Sequence, residues 1–372
     1  MEPLLAATRA YEAVDASVTV RWDFTPLADF ERGTELRPGA GYDLVTFDHP
    51  HVETIATNGL LHDLTGLLTQ QVVDGLAADA VGASHLSYVW NGQVFGVRLD
   101  AAATFAVRRV DVAEPQAKTL EGVIDEITRS RGTASVLLPL VPTHAGALLV
   151  SLMINMGADV AAGWPGFDSA QARAAVELMQ RVWPYVLPDS VRLNPIQVLD
   201  TMVRNPAHAY SPFVFGYAPY ADQRRGDGRL VFGPSPGVLG GDGLRGMLGG
   251  AGLGVHRESA HPEAAAALAA WLGSASVQRS FFVPLGGQPA AWSAWRAGCD
   301  DPHFGGFFTG TKAAMKQAFL RPRATGFAAM QAEAGRILVA GLLAGKAATA
   351  LCDELATAEQ AMLTHPSSAS VP

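Results

Sequence analysis

The Asn91-Gly92 pair and the extended run that follows it constrain the fold more than any other feature of this chain. A type I′ turn needs positive φ at both central residues, which Asn and Gly tolerate. The flanking Ser87-Tyr88-Val89-Trp90 and Gln93-Val94-Phe95-Gly96-Val97 therefore read as a hairpin. Its second arm does not stop there, but runs through Arg98-Leu99-Asp100 into Ala101-Ala102-Ala103-Thr104-Phe105-Ala106-Val107. So long an extended passage through small residues suits a strand that leaves one lobe and enters another. Gly249 to Val255 has the composition of a return crossing. With 372 residues, the chain can give each of two lobes its own core.

Around these passages helix and strand alternate. Pro3 to Val14 predicts a helix with Leu4, Leu5, Ala7, Tyr11 and Val14 on one apolar stripe, followed by a short strand over Val18 to Trp22. Tyr42 to Phe47 reads as a buried strand ending in Asp48-His49-Pro50-His51. A helix from Val52 follows, closed at Asn58-Gly59, and Leu60 to Leu64 opens the next helical stretch. This rhythm implies βα units, an α/β class and a mainly parallel sheet. Further on, helices are expected over 120–129, 143–156, 170–182, 262–273, 311–319, 326–344 and 347–364, with strands over 135–138 and 208–215. One more helix runs from Pro195 to Val203, with Asn194 as its N-cap.

The composition removes several function classes. A formal charge of −8 disfavours nucleic acid, whose phosphates call for concentrated Lys and Arg. The most apolar segment, Ala147 to Met156, is short and broken by Ser151 and Asn155, so no membrane-spanning helix is expected. The N-terminus has no basic stretch ahead of an apolar core, so no signal peptide is expected either. Cys299 and Cys352 form no metal-binding CxxC, and read as idle thiols or as a disulfide pair. Gly233-Pro234-Ser235-Pro236-Gly237 matches the G-x-S-x-G of hydrolases, but Pro236 lacks the N–H that an oxyanion hole would need. Gly241-Asp242-Gly243-Leu244-Arg245-Gly246 matches G-x-G-x-x-G, yet a loop precedes it and a strand follows, the reverse of a dinucleotide site.

Four segments, in this order, resemble the extracellular solute-binding proteins of ABC importers, in the carbohydrate-binding group that includes maltose-binding protein. They are Tyr42-Asp43-Leu44-Val45-Thr46-Phe47-Asp48-His49-Pro50, Gly59-Leu60-Leu61-His62-Asp63-Leu64, Asn91 to Asp100, and Gly249-Gly250-Ala251-Gly252-Leu253-Gly254-Val255. The resemblance implies a periplasmic-binding-protein-like type II fold, with two lobes joined by crossing strands and a ligand cleft between them. It places lobe 1 at 1–101 plus 256–308 and lobe 2 at 104–252 plus 311–372. Because that family opens on a β-strand and Met1 begins at a helix, it also implies that lobe 1 lacks its first strand. The implied partners are a small-molecule ligand, by resemblance a sugar, and ABC permease subunits. No cofactor, metal or nucleic acid is implied, and a monomer is expected. The implied location is periplasmic or cell-surface; a cytoplasmic one stays open in a chain without a signal peptide.

Each candidate site residue has a plainer reading beside the functional one. Asp48 and His49 follow a buried strand, where they would bond sugar hydroxyls, serve as structural hydrogen-bond partners, or join His51 at a metal in a cytoplasmic hydrolase. Tyr88 and Trp90, two apart, would stack on a sugar ring or pack the hairpin onto its lobe. Asp100, at the crossing, would meet ligand or bond nearby amides. His144, with Thr143 as expected N-cap, would act at a helix N-terminus or simply belong to the cap. Tyr210, in a stretch with Phe215 and Tyr217, would face the cleft or enter the core. Gly250 and Gly252, with Gly249, would let backbone approach ligand or fill a crowded crossing. Gln288, in a rim loop with Trp292 and Trp295, would offer a donor and an acceptor. Besides binding, the open alternatives are that hydrolase and a non-transport sensor of the same fold.

Overall fold

The computed structural model describes residues 2–33, 36–132, 136–159, 166–238 and 243–364. Its strands are β1 (Leu44–Asp48), β2 (Val89–Trp90), β3 (Gln93–Val94), β4 (Val97–Arg98), β5 (Ala102–Arg109), β6 (Tyr210–Phe215), β7 (Leu230–Gly233), β8 (Leu248–Gly249) and β9 (Ala251–Val255). The first lobe is built on a sheet of order β1-β9-β4, and the second on β6-β5-β7 with β8 also paired to β5. β2 and β3 form the expected hairpin, with φ of 47° at Asn91 and 80° at Gly92.

Two of the connections between the sheets are the long runs singled out above. From β4 the chain passes Asp100 and Ala101 into β5, and from β8 it passes Gly250 into β9. Gly250 has φ 128°, and a Cβ there would lie 2.6 Å from the Asp100 carbonyl oxygen, so only glycine fits where the two crossings touch. Past the helix Gly305–Gln317 the chain runs beside β8. Phe319 bridges Met247 in parallel, its carbonyl accepting from the Leu248 amide at 2.9 Å.

The sheets differ from the expected parallel arrangement. Every ladder between the described strands is antiparallel, and parallel pairing survives only in isolated bridges such as Val136 to Tyr210. The reason is insertion: β9 arrives from the other lobe and slots between β1 and β4, opposing both. Val18 to Trp22 forms no strand, because no described segment pairs with it. The helix expected from 311 begins at Gly305, its entry fixed by the Asp301 carboxylate, which accepts from the His303 and Phe304 amides at 2.9 and 2.8 Å. Ser135 and residues 241–242 of the G-x-G-x-x-G match lie outside the described residues.

Local chemistry explains the well-placed helices. Asn194 and Gln197 form a reciprocal capping box, each side chain accepting from the other's amide at 2.9 Å. The helix Val52–Asn58 ends at Gly59, whose amide turns back to Ala56 and Ile55. In the second lobe the apolar helix Pro142–Asn155 packs against Phe327–Leu343 in one large core. The helix Gly305–Gln317 packs on β5 and β7, with Phe307 6.1 Å from Phe105 and 5.2 Å from Phe232, beside the fully buried Trp295. Trp292 and Trp295 thus begin and fill a helix, Trp292–Gly298, not a rim loop. Cys299 and Cys352 are both free thiols.

Candidate ligand cleft

β1 ends at Asp48, and the chain turns at once into a short helical turn, His49–His51, with Pro50 inside it. The carboxylate of Asp48 accepts two bonds from Arg321 Nη2, at 2.5 and 2.7 Å. Arg321 Nε donates to His49 Nε2 at 3.2 Å, and His49 Nδ1 lies 3.3 Å from Asp48 Oδ1. An imidazole nitrogen that accepts from a guanidinium bears no proton, so the ring is neutral with its hydrogen on Nδ1. Burial and the Arg321 charge push His49 down to about 4, consistent with that form. Burial alone would raise Asp48, but Arg321 and His49 outweigh it and hold the carboxyl well below its ordinary range.

At the crossing, Asp100 Oδ1 accepts from the Ala251 amide at 2.6 Å. Burial, reinforced by the charge of Asp48, pushes Asp100 up to about 6 against the pull of that bond. From the second lobe, the helix Pro142–Asn155 presents His144 in its first turn. Val141 stands at the N-cap with Pro142 after it, so Thr143 is helical and is not the cap. His144 Nε2 lies 3.0 Å from Glu31 Oε1, a residue of the short first-lobe helix Leu27–Arg32. The Glu31 carbonyl in turn accepts from His51 Nε2 at 2.9 Å. Arg321 thus joins Asp48 and His49, while His144 reaches Glu31, whose carbonyl also takes His51, and Asp100 stands at the crossing.

No family model matches the sequence, and no curated protein matches it either. Solved structures do match over nearly the whole chain. Maltose-bound MalE3 of T. maritima superimposes with a TM-score of 0.77 at 16% identity, covering 96% of this chain and 95% of that one. The GacH receptor of Streptomyces glaucescens, solved unliganded and with acarbose, gives 0.78 at 18%, covering 98% and 95%. An ABC transporter solute-binding protein of Agrobacterium radiobacter K84, in complex with ribitol, gives 0.79 at 16%, covering 96% and 95%. This chain has the two-lobed fold of the sugar-binding ABC solute-binding proteins.

In this solute-binding fold the sequence candidates divide sharply. Asp48, His49, Asp100 and His144 come together at the cleft, and Gly250 lies beside Asp100. Trp90 is half-buried in the hairpin with the Arg323 guanidinium 5.4 Å from its ring. Tyr88 is buried, edge-on to Phe47 at 5.2 Å and to His49 at 6.4 Å. Its ring covers Gly252 so closely that a Cβ there would lie 2.4 Å away. Tyr88 and Gly252 thus form a packed wall behind His49. Tyr210 is part of the second-lobe core, not a cleft residue, because its strand turns it toward that core. Gln288 holds the crossing itself: its carbonyl accepts from the Ala101 amide at 3.2 Å, and its side chain donates to the Ala101 carbonyl at 3.3 Å.

Three residues at the cleft escape sequence reasoning: Arg321, Glu31 and Tyr217. Burial raises the Tyr217 phenol first, and the charges of Asp100, Glu31 and Asp48 raise it further, while the half-buried ring packs against the core around Phe105 and Phe307. A partial signal existed for Tyr217, an aromatic following Gly216 at the end of β6. Nothing local marked the other two. The metal alternative has no donor set here, since Arg321 takes both Asp48 oxygens and His51 turns to the Glu31 carbonyl. Among the described residues no group of three or more His, Cys, Asp or Glu could hold a metal ion. Nor is any described helix long and apolar enough to cross a membrane.

Proposed function

We propose that this protein is the substrate-binding component of an ABC importer and captures a neutral polyhydroxylated solute, a sugar or polyol, by closing its lobes over it. The observation that carries the reading is the whole-chain likeness to solved solute-binding proteins with maltose and with ribitol bound. Asp48, His49, Asp100, His144, Glu31, Tyr217 and Arg321 converge from two lobes where crossings can flex. These residues, with Trp90 at the hairpin, are the proposed ligand contacts. The proposed lobes are 1–101 plus 256–308 and 104–252 plus 311–372, with the Phe307 cluster as a packed seam between them. The protein binds its solute without transforming it, hands it to permease subunits, and works outside the cytoplasmic membrane as a monomer.

The geometry favours this over hydrolysis because the carboxylate that would lead the chemistry is already bonded twice by Arg321. A thermal-shift panel of maltose, maltotetraose, acarbose, ribitol and mannitol tests it. A cognate ligand at 100 times its Kd adds about 2.7 kcal/mol of stability, several degrees for a chain of this size. If no sugar or polyol moves the melting point while amino acids or peptides do, the carbohydrate reading is wrong.

A further inference from the structure

Residues 321–325 lie between two helices that pack on the second-lobe side of the molecule. Upstream, Gly305–Gln317 packs on β5 and β7, and the Phe319 amide donates to the Gly246 carbonyl at 2.9 Å. Downstream, Phe327–Leu343 sits so close on Pro142–Asn155 that a Cβ at Gly146 would lie 1.8 Å from the Gln331 carbonyl oxygen. Yet the bonds of residues 321–325 run the other way. Arg321 takes Asp48 and His49 at the end of β1. Arg323 Nη1 donates to the carbonyls of Leu86 and Val89 at 2.7 and 2.6 Å, with its guanidinium over the Trp90 ring. The Thr325 amide donates to the Glu53 carboxylate, and the Thr54 and Thr325 hydroxyls lie 3.4 Å apart. Among the described residues no backbone hydrogen bond joins 321–325 to β5, β6, β7 or β8. Gly326 follows at once with φ 88°, a left-handed conformation that favours glycine.

We propose that residues 321–325 form a strap that stays with the first lobe when the lobes part, and that Gly326 is the swivel between this strap and the second lobe. The proposal rests on the two-lobed reading above, and within the stretch 311–372 it assigns the strap to the opposite jaw. Bond strength decides which side the strap follows. Leaving the first lobe would break a buried, doubly bonded ion pair, a guanidinium held by two carbonyls, and the bond from Thr325 to Glu53. Leaving the second lobe breaks no backbone bond to its sheet and turns the chain about one glycine. Asp48, His49 and Arg321 are then a unit assembled before any solute arrives, and closure adds His144 and Tyr217 from the other side. A site half assembled in the open form gives up less freedom on binding.

The test bridges the strap to the first lobe. Thr54→Cys/Thr325→Cys is oxidised in the full chain, and the disulfide is confirmed by mass spectrometry. Small-angle scattering is then read without any sugar, with the reduced form of the same variant as reference. A compact chain of 372 residues has a radius of gyration of about 21 Å. The expected result is one value for the oxidised and reduced forms. Glu31→Cys/His144→Cys, joined by a short bismaleimide, ties the jaws themselves and lowers the radius by about 1 Å. A second measurement loosens the strap. Arg323→Gln strips the Leu86 and Val89 carbonyls of their donor, and the Thr325 amide exchanges about tenfold faster while that of Leu338, in the second-lobe core, keeps its rate. A fall in radius on oxidising the Thr54–Thr325 pair overturns the proposal, because the strap then moves with the second lobe. Equal radii in every form also overturn it, since lobes that never part have no swivel, and so does Leu338 exchange that rises with Thr325. Neither readout needs a bound sugar, so failure of the strap and failure of the carbohydrate reading are separate results.

Discussion

Removing Arg321 isolates the interaction at the centre of the cleft. Arg321→Met keeps the length and apolar stem of the side chain but strips two bonds from Asp48 and one from His49. Asp48 and Arg321 are only 8% and 7% exposed, so the orphaned carboxylate has no water to turn to. Breaking one side of a pair this buried costs about 3–5 kcal/mol. At about 2 °C per kcal/mol for a chain of this size, the melting point falls by roughly 6–10 °C. The double variant Asp48→Leu/Arg321→Met removes both charges, and is expected to recover about 2 kcal/mol or more of that loss. The pH dependence supplies the sign. In the native protein the Asp48 carboxyl is depressed below its ordinary 3.8, so its contribution is present above that pH and is lost as pH falls through the depressed value. Without Arg321, burial dominates and the carboxyl takes up its proton at higher pH, so the gap between variant and wild type narrows from pH 7 down to about pH 4. Urea denaturation at both pH values is the assay. A loss under about 1 kcal/mol at pH 7, or a gap that does not change with pH, refutes the view of a buried charge-bearing lock.

Asp100 has the opposite sign. Its carboxyl is raised from 3.8 to about 6, so folding with the ionised form is penalised, and the penalty sets in as pH rises through that interval. Asp100→Asn keeps an acceptor for the Ala251 amide; by chemical denaturation it is expected to be more stable than wild type by about 2–3 kcal/mol at pH 7.5, the difference vanishing near pH 4. At Tyr217 the expectation concerns binding: Tyr217→Ala weakens the stabilising sugar or polyol of the panel about 10- to 100-fold in calorimetry, through lost ring contact and a lost hydroxyl. Its melting point drops little, because the ring is only half-buried. A Tyr217 variant of full affinity removes that residue from the site.

The elements legible in the sequence are those closed by local chemistry. Asn91-Gly92 makes its turn from two residues, and the Asn194–Gln197 box needs four. Strand pairing is not local, and there the reading failed twice. Val18 to Trp22 has the alternation of a strand, but a ladder needs a neighbour, and no described segment pairs with it. The parallel expectation assumed that each strand returns to the sheet beside its predecessor. Instead the neighbour of β1 is β9, some two hundred residues later, entering from the other lobe with opposite direction. Gly250 shows how a crossing can be read without its geometry: the glycine-rich composition was visible, but not the contact with Asp100 that makes glycine necessary.

The same divide runs through the cleft and bears on what it can hold. Asp48, His49, Asp100 and His144 were legible because strand ends and helix starts are where open α/β folds place ligand. Their partners were not, since Arg321 lies 273 residues from Asp48, and Glu31 meets His144 only when the lobes face one another. Without those partners the cleft reads as acidic and metal-seeking; with Arg321 beside it, the buried Asp48 carboxylate is matched. Asp48 is neutralised by Arg321 and His49 is uncharged, while Glu31 lies 3.0 Å from His144 and the Asp100 carboxyl is raised to about 6. A ligand carboxylate competing for Arg321, or an ammonium competing for Asp48, would break that pair and leave its partner buried, at several kcal/mol. Hydroxyl groups need only share lone pairs and N–H groups, and the proposed contact Tyr217 would add an aromatic ring for the apolar side of a sugar. The Asp48–Arg321 pair that hides the site from sequence is therefore also the physical argument for the neutral ligand proposed above.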